Sequence, residues 1–218
     1  MSIDEVSMFI HELNNPLSNV YMISELLMLE KNPNEIKKLL ELLQRSIEQI
    51  KVVQDDFHAY RHTGTQLIQC VPVNVATMLT NVISEYKPLA GKFQVRIIPT
   101  IRLCRVFTDA TKLRQVLCNL ISNAIKYNKT NGSVFVDCTN ERNAARISVR
   151  DTGIGLADDD MKQLGIPFYR AKKIDVPGTG LGFTLIRKIV DMFSWTLDIK
   201  STLNVGTEII ITIPSHVD

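Results

Sequence analysis

From Phe9 onward the chain alternates apolar and polar positions at helical spacing. Phe9, Leu13, Val20, Ile23 and Leu27 fall at three-, four- and seven-residue steps, which predicts an amphipathic helix with one apolar seam. Lys31-Asn32-Pro33-Asn34 supplies a turn with a potential N-cap. A second stripe follows: Ile36, Leu40, Leu43, Ile47, Ile50, Val53, Phe57 and Tyr60. Two helices joined by so short a turn form a hairpin, and a lone hairpin leaves half of each stripe in water. Because both stripes are long and heptad-like, the hairpin is expected to dimerise into a four-helix bundle.

The helical period stops at Arg61-His62-Thr63-Gly64-Thr65, where Gly and small polar residues end a helix readily. This divides the chain into units 1–64 and 65–218. Val71-Pro72-Val73 reads as a short strand, and Asn74 caps a helix to about Leu89. Strands are expected over Gln94–Thr100 and Arg105–Thr108, then a strong helix from Ala110 to Tyr127. Ser133–Thr139 and Ala145–Arg150 resemble a hairpin of strands. A helix from about Leu181 to Phe193 precedes a last pair, Thr196–Ser201 and Glu208–Ile213. Helices interleaved with largely antiparallel strands make the second unit a two-layer α/β sandwich and the whole chain α+β. No internal repeat or low-complexity segment interrupts this pattern.

Composition narrows the function classes. The 218 residues are 45% hydrophobic with a formal net charge of +2. A charge so near zero, without a dense basic block, argues against nucleic acid as the main partner. No apolar run approaches the roughly 18 residues of a membrane span, and the N-terminus lacks the apolar core of a signal peptide. A cytoplasmic location is expected, including as the soluble part of a larger, membrane-attached sensor. Cys70, Cys104, Cys118 and Cys138 lack metal-ligand spacing and read as reduced, mostly buried thiols.

Chemistry concentrates in a few places. In His11-Glu12-Leu13-Asn14-Asn15-Pro16-Leu17, His11 lies beside the apolar seam, so its imidazole should reach solvent. Glu12 is placed to accept the Nδ1 proton, leaving the Nε2 lone pair free to attack phosphorus. Asn15 lies one turn beyond His11 on the same face, where an amide can position a water or an incoming carboxylate. Pro16 removes a backbone donor and should bend the helix.

Far downstream, Asn119 and Asn123 stack on one helix face with Lys126 a turn on. Amide oxygens are hard ligands suited to Mg²⁺, and an ammonium meets phosphate oxygens. Asp151-Thr152-Gly153-Ile154-Gly155 follows directly on a strand, putting a carboxylate at a strand end where it can accept from an exocyclic amine such as adenine N6. Pro177-Gly178-Thr179-Gly180-Leu181-Gly182 runs straight into a helix, which favours phosphate. Neither stretch is a P-loop, because no Lys-Ser/Thr follows the glycines.

In their order these motifs resemble the catalytic core of a sensor histidine kinase: a dimerisation and histidine-phosphotransfer hairpin followed by an ATP-binding domain of the Bergerat or GHKL type, shared with gyrase, Hsp90 and MutL. His11 to Leu17 matches the H-box. Asn119, Asn123, Lys126 and Tyr127 match the N-box, and Asp151, Gly153 and Gly155 the first glycine box. Pro167-Phe168-Tyr169-Arg170 resembles the F-box, and Gly178, Thr179, Gly180, Leu181 and Gly182 the second glycine box. Asn204-Val205-Gly206-Thr207 stands for a reduced last one.

The resemblance implies that His11 accepts the phosphoryl group from ATP and that Glu12 assists it. It implies further that Asn123 holds Mg²⁺, with Asn119 and Lys126 near the phosphates. Asp151 would bind the adenine amine, and Arg170 would stabilise charge on the γ-phosphoryl group. Arg170 to Pro177 would form the ATP lid, carrying Lys172 and Lys173. The phosphoryl group would pass to an Asp of a response-regulator receiver domain, with Glu12 and Asn15 also fitting phosphatase activity toward that regulator. A homodimer is implied, with labelling within one subunit or between the two both open.

The chain departs from the family pattern in places. Ten residues precede His11, so an upstream sensor domain is expected to be truncated away or supplied by another protein. Ser194-Trp195 stands where a Gly-Gly turn is common, with Trp195 expected to pack rather than touch ligand, and Asn204 is expected to tolerate left-handed backbone. Two other readings compete: a docking protein passing phosphate without ATP, which the intact Asn123, Asp151 and glycine loops oppose, and a conformational ATPase, which leaves the H-box without purpose.

Overall fold

The computed structural model describes residues 3–62, 67–141, 143–171 and 178–215. Two long helices come first, α1 (Ile3–Leu29) and α2 (Pro33–His62). The turn between them is held by side chains: Glu30 accepts from the amides of Lys31 (2.9 Å) and Asn32 (2.8 Å), and Asn32 accepts from the Asn34 amide at 3.0 Å. Asn32 thereby caps α2, and Pro33 fills its first helical position, where a missing N–H is harmless. The helices meet along their stripes. Ile23, Val53 and Tyr60 are buried, and Phe9 stacks on Phe57 with ring centroids 3.7 Å apart. α1 continues uninterrupted through the buried Pro16. Leu40 and Ile47, stripe members by spacing, stay about half exposed at 51% and 53%, as a single hairpin requires.

The expected boundary at 64/65 lies outside the described residues. Beyond it come β1 (Cys70–Asn74), α3 (Val75–Lys92), β2 (Arg96–Ile101), β3 (Arg105–Asp109), α4 (Ala110–Lys126), β4 (Ser133–Glu141) and β5 (Ala144–Asp151). They are followed by α5 (Asp158–Gln163), α6 (Gly182–Met192), β6 (Thr196–Thr202) and β7 (Gly206–Pro214). Among the described residues β1 pairs β3 antiparallel in a two-stranded ribbon, and a five-stranded sheet has the order β2-β4-β5-β7-β6. Only the β2–β4 pair in that sheet is parallel. Leu79 and Val82 of α3, Leu117 and Ile121 of α4 and Ile186 and Ile189 of α6 bury against Val134, Val136, Ile147 and Ile211 of the sheet. The fold is the α+β arrangement expected: a helical hairpin, then a layer of helices on a mixed sheet.

Differences in detail have local causes. α3 runs past Leu89 to Lys92, carrying Pro88 within it; the carbonyl that Pro88 cannot serve belongs to Ser84, on the exposed side. β2 starts at Arg96 rather than Gln94, because Gln94 takes the left-handed backbone (φ 55°) that closes α3 and the Val95 amide returns to the Ala90 carbonyl at 2.9 Å. The short α5, unmarked by any apolar period, was absent from the sequence pattern. At the end of α6, Ser194 (φ 52°) adopts the turn that Gly commonly fills, and Trp195 is buried beside Phe193 at 5.2 Å. Asn204 is left-handed (φ 63°), its amide 2.6 Å from the Ile154 carbonyl. All four cysteines are free, Cys104 and Cys138 buried and Cys70 and Cys118 half-buried. Among the described residues no helix is long and apolar enough to cross a membrane.

Asp109 sets the position of α4. Its Oδ1 accepts from the amides of Thr111 (2.9 Å) and Lys112 (3.0 Å), and its Oδ2 from the Gln69 amide at 3.0 Å. Burial pushes this carboxyl up, but the three amide donors and the Lys112 charge outweigh it and hold it below its ordinary value. Its stabilising contribution is therefore complete above about pH 4 and lost as pH falls through the lower folded-state value. Asp109→Ala is expected to destabilise the chain by about 1–2 kcal/mol, with the difference from wild type shrinking at acid pH in denaturant titrations.

Candidate functional site

His11 is exposed on α1, as is Asn15 on the same face, while Glu12 is half-buried. The hairpin register follows from two contacts: the Tyr60 hydroxyl donates to Glu5 at 2.6 Å, and Phe9 stacks on Phe57. Counting along antiparallel helices, His11 stands level with about residues 54–55 of α2.

At that level Asp55 and Asp56 form part of the wall of a cavity of about 530 Å³, a size suited to a small organic ligand. α4 contributes Asn119, Asn123 and Lys126 to the lining, with Tyr127 just beyond its end. The end of β5 adds Asp151, with Ile154 and Gly155 from the loop after it. β7 adds Thr207, the segment before α6 adds Arg170, Gly178, Thr179 and Gly180, and Gly182 opens α6 on the same lining. Of the residues singled out from sequence downstream of the hairpin, Gly153 and Leu181 do not line the cavity. Leu181 is a core residue, 1% exposed. Gly153 works from behind the wall: a Cβ there would lie 2.2 Å from the Tyr127 carbonyl oxygen, so glycine lets the loop pass against the end of α4.

Asp151 is fixed by its own surroundings. Its Oδ1 accepts from the amides of Gly153 (2.8 Å) and Thr207 (3.2 Å), leaving Oδ2 for the donor of a ligand. Burial pushes its carboxyl above the ordinary value, against the downward pull of those two amides. Thr207 thus enters through its backbone as well as by lining the cavity.

On α4, the Asn119 amide nitrogen donates to the Gln115 carbonyl at 2.9 Å. Its Oδ1 lies against Gly182, where a Cβ would sit 2.6 Å away, so the start of α6 and the asparagine face come together only because residue 182 has no side chain. Burial raises the Tyr127 phenol, Arg170 lowers it and Asp56 raises it further; the segment before α6 and helix α2 therefore both act on the residue that ends α4. Lys172 to Pro177, most of the expected lid, lies outside the described residues.

Three contributions were not legible in sequence. The Tyr169 hydroxyl donates to Asp160 of α5 at 2.7 Å, tying the residue before Arg170 to a helix that no period announced. Asp56 accepts from the Thr179 hydroxyl at 2.5 Å, and Asp55 lies beside it; adjacent acids on a helix carry no signal of which domain they will face. Phe168 holds φ at 63°, a strained backbone for an aromatic residue.

Among the described residues no group of three or more His, Cys, Asp or Glu side chains gathers to hold a metal ion. An ion bound largely by phosphates needs few protein oxygens, and the Asn123 side-chain amide lines this cavity.

The model of the histidine kinase-, DNA gyrase B- and HSP90-like ATPases matches residues 108–217. That of the His Kinase A (phospho-acceptor) domain matches residues 3–61. This chain belongs to the histidine kinases. The phospho-acceptor match falls on the α1–α2 hairpin, and the ATPase-type match runs from the end of β3 through β7, taking in α4, β5 and α6.

The autoinducer 2 sensor kinase/phosphatase LuxQ of Vibrio parahaemolyticus serotype O3:K6 (strain RIMD 2210633) is 26% identical over 94% of this chain and 25% of its own length. The chain thus spans a quarter of that relative. Full-length ShkA in complex with AMPPNP has the same fold (TM-score 0.71, 22% identity, 100% of this chain and 47% of that one). So does ThkA in complex with the response regulator TrrA (TM-score 0.73, 20% identity, 98% and 62%).

Proposed function

We propose that this histidine kinase transfers the γ-phosphoryl group of ATP to Nε2 of His11 and from there to an aspartate of a response-regulator receiver domain. The observation that carries the reading is the cavity itself: Asn119, Asn123 and Lys126 line it together with the glycine loop and Asp151, while His11 stands exposed on the stalk. Asp151 accepts from the adenine amine through Oδ2. Lys126 and Arg170 meet phosphate oxygens, and Thr179 with the backbone of Gly178, Gly180 and Gly182 lines the path of the phosphates. Asn123 would hold Mg²⁺ together with the phosphates, and the ion would supply neutralisation of charge on the transferring group.

Phosphoryl transfer needs positioning and charge neutralisation more than covalent help from the protein. His11 therefore has only to present its lone pair, and Glu12 keeps the Nδ1 proton in place. Asn15 positions a water when the receiver's phosphoryl group is hydrolysed, the reverse branch named in the LuxQ relative. The wet apolar positions of the hairpin, Leu40 and Ile47 among them, are covered by a second copy in a four-helix bundle. The receiver partner is supported by the ThkA complex with its regulator, and the nucleotide by the ShkA complex with AMPPNP.

The test is metal removal. With γ-labelled ATP and Mg²⁺ the chain should take up label that resists base and is lost in acid, as a phosphoramidate is. Chelation of Mg²⁺ should abolish uptake, and readdition should restore it. Label that survives acid, or uptake indifferent to the chelator, would contradict the reading.

A further inference from the structure

The lower part of α2 closes one side of the nucleotide cavity. Asp56 takes the Thr179 hydroxyl at 2.5 Å, and Thr179 is buried within the glycine loop. The same carboxylate lies close enough to feel the Lys126 ammonium, and Asp55 stands next to it. One turn further on, Tyr60 is 3% exposed, its hydroxyl on Glu5 at 2.6 Å and its ring 3.4 Å from the Lys188 ammonium of α6. Two of the contacts that clasp the stalk to the ATPase-type domain are thus a carboxylate on the glycine loop and a cation on an aromatic ring.

The first clasp engages the groups a polyphosphate would use. A hydroxyl donor is already taken by Asp56, the Lys126 ammonium lies within the field of the same carboxylate, and Asp55 adds a second negative charge to the same wall. We infer that Asp56 is a charge gate: while it sits on Thr179 beside Lys126 the cavity admits the adenosine moiety but disfavours the triphosphate, so ATP binding and stalk docking exclude each other. This inference rests on the nucleotide reading of the cavity. A ligand that binds one of two conformations better shifts the population toward it; here ATP displaces Asp56, frees α2 from the glycine loop and lets the ATPase-type domain move relative to His11. The gate makes Asp56 a residue that sets the preference among adenosine, ADP and ATP, a role distinct from any contact with the reacting atoms.

The experiment measures the affinity of the full chain for adenosine, ADP and ATP, each with Mg²⁺, by calorimetry in wild type, Asp56→Asn and Lys188→Gln. Where the docked state holds about nine-tenths of the molecules, removing it tightens ATP about tenfold. Asp56→Asn should show that gain for ATP, a smaller one for ADP and none for adenosine. Lys188→Gln weakens the second clasp, outside the cavity, and should move ATP in the same direction. Loss of a cation alone would weaken binding of an anion, so tightening there identifies release of the stalk. ATP affinity unchanged or weakened in Asp56→Asn while adenosine still binds would remove the gate alone. Failure of wild type to bind adenosine or ATP would remove the nucleotide reading and the gate with it.

Discussion

His11→Gln should reduce phosphoryl uptake from ATP to background while leaving nucleotide affinity unchanged. His11 is exposed and does not line the cavity, so its replacement removes the nucleophile without disturbing the cradle. Its neighbours are held by other contacts: Phe9 by Phe57 and Glu5 by Tyr60. Folding should be indistinguishable from wild type, because an exposed polar substitution away from packing and caps changes stability by no more than about 0.5 kcal/mol. Uptake measured with γ-labelled ATP, beside an ATP titration of the same preparation, separates loss of acceptor from loss of site. If His11→Gln still accumulates label, the acceptor lies elsewhere.

The second large effect belongs to Asp151→Asn. Asn keeps an oxygen for the Gly153 and Thr207 amides, so the loop after β5 should hold its shape. What changes is the side facing the ligand, where an amide NH₂ now meets the adenine amine donor to donor. A hydrogen bond to a charged group contributes about 1.5–3 kcal/mol, so ATP and adenosine should both weaken by roughly 10- to 100-fold.

The pH dependence carries a sign. Burial raises the Asp151 carboxyl above its ordinary value, so the ionised acceptor is lost on acidification earlier than for an exposed aspartate. Wild-type affinity should fall with pH through that raised value, and the variant should be flat there. For stability the sign is opposite: a raised folded-state pKa favours folding below the unfolded value and loses that contribution as pH rises. Asp151→Asn should therefore leave neutral-pH stability unchanged or raise it. A variant that binds ATP as tightly as wild type would take Asp151 out of adenine recognition.

The parts of this protein that were legible in its sequence are those where a local signal and a tertiary role coincide. The stripes of α1 and α2 specify a hairpin because a period fixes a face, and the face then fixes a partner. Asn119, Asn123 and Lys126 reached the cavity because residues three and four apart share a helix face whatever surrounds them. Asp151 was legible because a carboxylate at a strand end followed by glycines has few structural uses. The left-handed turns at Ser194 and Asn204 show the limit of that logic: the backbone shape of the glycine turn persists where the glycine does not, and only the polar character of the substitutes hints at it.

Other features had no local signal. α5 is six residues long with no buried side chain, so no period could mark it; its role appears only through the bond from Tyr169 to Asp160. Gly153 and Leu181 read as ligand contacts because they stand inside glycine motifs, yet one lets the loop pass close against the end of α4 and the other fills the core. The Asp56–Thr179 bond joins residues 123 positions apart. Nothing in the spacing of α2 distinguishes Asp56 from the solvated acids above it, because its environment is created by docking of a second domain.

The central claim, that an exposed imidazole on the stalk receives the phosphate of a nucleotide held by the following domain, is tested most directly by locating the phosphoryl group. After brief incubation with ATP and Mg²⁺, peptides prepared at neutral to basic pH and fragmented by electron transfer should carry one phosphoryl group, on His11. A group on His58, on a Ser, Thr or Asp side chain, or on none while ATP is bound and Mg²⁺ is present, would contradict it.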